Sequence, residues 1–165
     1  RGVGAPVFAY RLSAAGEQVF PRRYESALTD VLETLVEREG REAVVGALEA
    51  RYAALLRRLP SDLAELPAER RLAAVTRLLQ EDGFMPGWEG SAEGGTLTEH
   101  NCAIRAVAER FPEICAAEER FLSAALGASV GLQAHVLDGC SACEYQVQFT
   151  APVSIGTSRP QGVNA

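Results

Sequence analysis

The sequence has no lysine: its sixteen basic side chains are all arginine, set against twenty-two acidic ones, for a net charge of −6. A protein that grips nucleic acid over a broad face carries a basic surplus, and that class is set aside for this chain. Long apolar runs are also missing; none approaches the ~20 residues of a membrane-crossing helix, and no signal-peptide pattern follows Arg1. The expectation is a soluble protein of the cytoplasm. Catalytic furniture is equally scarce, with no Ser/His/Asp arrangement, no phosphate-binding glycine loop and no clustered pair of active carboxylates. The chain is therefore not read as an enzyme. Aromatic residues are few, at 7%, but the hydrophobic fraction of 47% is enough to build a core.

The four cysteines, Cys102, Cys115, Cys140 and Cys143, are confined to the second half in a C-x12-C-x24-C-x2-C pattern. In a chain of this length with no leader, such a set points to metal, cluster or redox chemistry ahead of a disulfide scaffold. Cys102 precedes the run Ile104, Val107, Ala108, at or beside a helix N-cap, and Cys115 falls in the first turn after Pro112. Helix starts offer unpaired N–H groups and partial positive charge, which would favour the metal-binding thiolate. Cys140 and Cys143 flank a turn, a spacing that can bring two sulfurs to one centre.

Along the chain, residues 3–13 alternate as one short strand, like the second half of a hairpin cut from a longer protein. Helical spacing then begins at Arg22 and stops at Gly40, resumes through Val44–Leu59 before Pro60, and recurs from Pro67 to Gly83. Residues 84–98 suggest a glycine-rich β-hairpin. Asn101–Phe111 and Pro112–Leu126 read as helices. Ser129–Leu137 and Ala142–Thr150 read as strands about the turn Asp138-Gly139. The fold class expected is α+β: amphipathic helices forming a dimerisation layer, then a small antiparallel sheet with two helices carrying the cysteine site. The divisions are 1–21 (strand and linker), 22–83 (helical), 84–150 (α+β) and 151–165 (a loose tail).

Glu118 falls between Ile114, Cys115, Phe121, Leu122 and Ala125 on a helical wheel, in the middle of an apolar face. A carboxylate there must find a partner or pay for its desolvation. It either bends out to water or to an arginine such as Arg105, or serves the cysteine site as an outer hydrogen-bond acceptor or an oxygen ligand. His100, two residues before Cys102, can reach the same centre; His135 is the weaker candidate.

Three segments carry a family resemblance. GAPVFAYRLSAAGEQVFPRRY is similar to the wing strand and exit of the SufR-like iron–sulfur repressors, bacterial winged-helix regulators related to the DeoR and ArsR groups. EHNCAIRAVAERFPEICAAE is similar to that family's H-N-C-P-I…P-x-L-C-x-x-E, and VLDGCSACEY resembles its I-x-x-G-D-x-x-C-x-Y. The resemblance implies that Cys102, Cys115 and Cys143 bind the cluster, with Glu118 as the glutamate after the second cysteine. Ala103 replaces the family's proline, and Cys140 stands where its aspartate is expected, as a fourth ligand or a bystander. The resemblance further implies a 4Fe–4S cluster first, a 2Fe–2S cluster second, and a homodimer. DNA would be bound through a winged helix upstream of Arg1, with cluster loss relieving repression of iron–sulfur assembly genes. A structural zinc site on the same cysteines, or a thiol–disulfide switch, are the alternatives.

Overall fold

A computed structural model describes residues 24–149. The readings placed on the opening strand and on the tail from residue 150 onward lie outside the described residues. Three helices come first: α1 (Tyr24–Glu39), α2 (Arg41–Leu56) and, after a 3-10 turn at Leu63–Glu65, α3 (Ala68–Glu81). Their ends follow the sequence punctuation. Gly40 separates α1 from α2 with φ 89°, and Pro67 caps the start of α3, where its missing N–H costs nothing.

The second half holds strands β1 (Pro86–Gly90) and β2 (Gly94–Glu99), helices α4 (Arg105–Arg110) and α5 (Glu113–Leu126), and strands β3 (Ala128–Ala134) and β4 (Cys143–Phe149). The four strands form one antiparallel sheet in the order β1-β2-β4-β3. The α+β architecture is as the sequence indicates. The helix expected over Asn101–Phe111 is shorter than its pattern: Cys102–Ile104 form a turn, Ile104 is the N-cap with φ −131°, and regular structure begins only at Arg105.

Along β4, Cys143, Tyr145 and Val147 are buried while Glu144, Gln146 and Gln148 are exposed, the alternation of a sheet solvated on one side. α5 covers the buried face and presents its other side to α2, while α3 reaches both α5 and β1 and α1 packs on α2 and α4. One continuous apolar core joins Leu32, Val44 and Leu48 of the first helices to Phe121 and Leu122 of α5 and Tyr145 and Val147 of β4. Each large apolar side chain buried here is worth ~1.5–3 kcal/mol. α5 is thus the central element, bound on both sides. Its exit is turned by Gly127, whose φ of 58° lies in the left-handed region that glycine enters without a Cβ penalty.

Candidate functional site

The site forms where the start of α5 meets the cysteine end of the sheet. Cys115 stands in the first turn of α5 and is half-buried; Cys143 opens β4 and is buried; Cys102, half-buried, lies in the turn before α4. Cys102 and Cys115 pack against the apolar core that contains Cys143, and a charge on one thiol would raise the pKa of its neighbour. Cys102 and Cys143 both bear on Cys115, and Cys102 bears on Cys143. Residues 41 positions apart in the chain are thereby gathered into one neighbourhood by α5 and the β2–β4 pair.

The expected preference for thiolate is overturned in the metal-free chain. Burial pushes Cys115 up to about 12, with the Glu118 charge adding to it, and pushes Cys143 up to about 11. Burial raises Cys102 also, against a hydrogen bond from the Ile104 backbone. The physical reason lies in the amides. Cys115 N–H is already spent on the Pro112 carbonyl at 3.0 Å, and Ile114 N–H on that of Phe111 at 3.1 Å. Cys102 is not beside a helix start at all, since α4 begins three residues later. Desolvation and two neighbouring carboxyls therefore outweigh any helix-terminus effect.

Glu118 is 5% exposed and is held from both sides. The Tyr52 hydroxyl donates to its Oε1 at 2.8 Å and the Tyr145 hydroxyl to its Oε2 at 3.0 Å. Arg105, the exposed alternative partner, pairs instead with Glu109 at 2.9 Å. Glu118 thus neither bends out to water nor meets Arg105; it is a buried acceptor for two tyrosine hydroxyls. Burial raises its pKa while the two hydroxyls and the Arg51 charge pull it back. Through these bonds α2, α5 and β4 share one carboxylate.

A second buried carboxylate escapes the sequence reading. Glu99, at the end of β2, is 2% exposed. It pairs in register with Cys143 on β4, as Leu97 does with Tyr145, so both pairs face the core. Its Oε1 has no hydrogen-bond partner among the described residues. Burial, then the Glu118 charge, lift Glu99 well above the usual carboxylate range. The signal for it was the alternation of β2: Leu97 points inward, hence so does Glu99.

The other candidates stand apart. Cys140 is exposed and follows Gly139, and it is not among the charges acting on the other three thiols. His100 is exposed with its ring against Gly87 of β1. His135 lies 3.9 Å from the Asp138 carboxylate, in the 3-10 turn that follows β3. All four cysteines are free thiols.

No group of three or more His, Cys, Asp or Glu side chains among the described residues is gathered tightly enough to hold one metal ion. A tetrahedral zinc with bonds of ~2.3 Å needs its sulfurs within ~3.8 Å of one another, whereas a cluster puts its own irons and sulfides between them. Cys102 and Cys115, packed on the core that contains Cys143, and Glu99, in register with Cys143 and with its Oε1 unpartnered among the described residues, are the side chains that would hold such a group. Comparisons with protein-family models, with curated protein sequences and with solved structures gave no match.

Proposed function

We propose that this chain is the sensory part of an iron–sulfur-dependent transcriptional repressor, with the cluster held by Cys102, Cys115 and Cys143. The observation that carries the reading is that Cys102 and Cys115, both half-buried, pack against the apolar core that contains Cys143. The motif resemblance of the surrounding segments supports it independently of geometry. A bound cluster supplies a centre whose stability and potential respond to oxidants and to hydrogen bonds at its sulfurs.

The chain's own part is to hold that centre and to report on it. Cys115 is fixed to α5, and Glu118, one turn further along the same helix, is bonded to Tyr52 of α2. A shift at the first turn of α5 therefore reaches α2 through one short hydrogen bond and through the packing of the two helices. The bidentate pair of Arg41 with Glu113 (2.5 and 2.9 Å) ties the same two helix starts together. Leu28 and Val31, 46% and 64% exposed on α1, are what a helical layer that pairs with a second chain would present. DNA would be bound by a winged helix upstream of Arg1, as the resemblance implies.

The test is anaerobic purification followed by an absorption spectrum and iron, sulfide and zinc analysis. Brown protein with matched iron and acid-labile sulfide supports the sensor. Colourless protein holding one zinc per chain after attempted reconstitution refutes it in favour of a structural metal site. Hydrogen exchange over residues 24–56 should also differ between loaded and metal-free chains; identical exchange would remove the proposed route through α2.

A further inference from the structure

We propose that Glu99 supplies the fourth, oxygen ligand of the cluster, so that the complete donor set is Cys102, Cys115, Cys143 and Glu99, with Cys140 outside it. The inference rests on the iron–sulfur reading above and identifies its missing donor. Three cysteines leave one position of a cubane-type cluster unfilled by thiolate. Two residues compete for it, Glu99 and Cys140, and their settings are opposite.

Glu99 is buried to 2% exposure on the inner face of the sheet, directly across the β2–β4 pair from Cys143. Facing residues in such a pair keep their Cβ atoms ~4.5–5.5 Å apart, so the carboxyl group and the Cys143 sulfur share one patch. Cys102 follows three residues later on the chain leaving β2, and the Glu99 charge is felt at Cys102, Cys115 and Cys143 alike. Its Oε1 is buried without a hydrogen-bond partner among the described residues, a state that native structures tolerate where an ion or a function accounts for it. Glu118 cannot be the readier donor, because both of its oxygens already accept tyrosine hydroxyls. Cys140 is exposed on the loop after Gly139, where a ligand would leave the centre open to solvent. On loading, each of the three thiols and the Glu99 carboxyl releases its proton to solvent and gives a lone pair to iron; these ligands keep their oxidation state, and iron supplied as Fe(III) is part-reduced by the added dithiol.

The experiment reconstitutes wild type, Glu99→Gln, Glu99→Cys and Cys140→Ser with ferric iron, sulfide and dithiothreitol under anaerobic conditions. It reads the iron-to-sulfide ratio and the Mössbauer spectrum, with circular dichroism on the metal-free chains to establish folding. Wild type and Cys140→Ser should carry the same full cluster, with one iron site distinct from the rest. Glu99→Gln should lose that distinct iron from every cluster. Glu99→Cys should regain it with the spectrum of a thiolate-ligated site, and it decides the matter if Glu99→Gln does not fold. A full, unchanged cluster in Glu99→Gln, loss of the distinct iron in Cys140→Ser, or failure of Glu99→Cys to hold a full cluster overturns the assignment and leaves the sensor reading standing. A wild-type chain that takes up no cluster overturns both.

Discussion

Tyr145→Phe removes a single oxygen from a side chain that is 1% exposed and takes away the donor to Glu118 Oε2 at 3.0 Å. The ring stays, so packing against the core is preserved and the loss is that of one buried hydrogen bond. Leaving a buried acceptor unpaired costs ~1–3 kcal/mol. For a chain of this length, each kcal/mol moves the melting temperature by ~2–4 °C, so the metal-free variant should melt ~2–12 °C below wild type. Thermal and urea unfolding, each followed by circular dichroism, measure the change. The decisive control is the same substitution in a Glu118→Leu background. There the tyrosine hydroxyl has lost its acceptor, and Tyr145→Phe should be neutral or stabilising. An equal loss in both backgrounds would show that the cost comes from packing, and that Glu118 does not organise the contact between α5 and β4.

Three further outcomes follow from the same geometry. In the metal-free chain Cys140, alone among the cysteines in being exposed, should be alkylated at least ~10-fold faster than the other three near neutral pH; peptide mapping after timed iodoacetamide treatment reads this, and early labelling of Cys115 or Cys143 would contradict it. Because Cys115 and Cys143 are lifted from 9.0 to about 12 and about 11, their neutral forms stabilise the fold fully below the unfolded value. That stability is lost as pH rises through the folded values, and urea midpoints level or rising between ~9 and ~11 would refute the burial argument. A methyl on Gly95 would collide with the Glu89 carbonyl and the Gly90 Cα across the hairpin; Gly95→Ala should cost ~1–3 kcal/mol in urea unfolding, and an unchanged midpoint would mean that β1 and β2 are less closely paired than their register indicates.

The helices were legible because their punctuation is local. Gly40, Pro60, Pro67 and Gly83 bracket runs of leucine and valine at helical spacing; α1 and α3 stop within two residues of Gly40 and Gly83, while α2 ends at Leu56, short of the Leu59 that its pattern reaches. The hairpin and the β3–β4 pair were legible for the same reason. Helix α4 was over-extended, since Asn101–Ile104 carries no breaker; the turn there is set by Asn101 donating to the Gly83 carbonyl at 2.8 Å, a contact 18 residues away in sequence that no local pattern encodes. Glu118 announced itself by interrupting an apolar face, yet its partners Tyr52 and Tyr145 lie 66 and 27 residues away. Glu99 was missed because it closes a strand and opens the polar run EHN, where an acidic residue reads as solvated. The hairpin read over residues 84–98 stops one residue short of it, so the alternation with Leu97 that turns it inward goes unused. Cys140 and Cys143 are close in sequence but differently set: the 3-10 turn at Val136–Asp138 and the left-handed Gly139 leave one cysteine exposed and the other buried.

The most direct test of the central claim is the cluster content of the four single cysteine-to-serine variants after identical anaerobic reconstitution. Cys102→Ser, Cys115→Ser and Cys143→Ser should each lose most of their iron and sulfide and the associated visible absorption, while Cys140→Ser matches wild type. Full retention of the cluster when Cys115 or Cys143 is replaced would contradict the account, because the buried thiols gathered at the start of α5 would then not be what holds it.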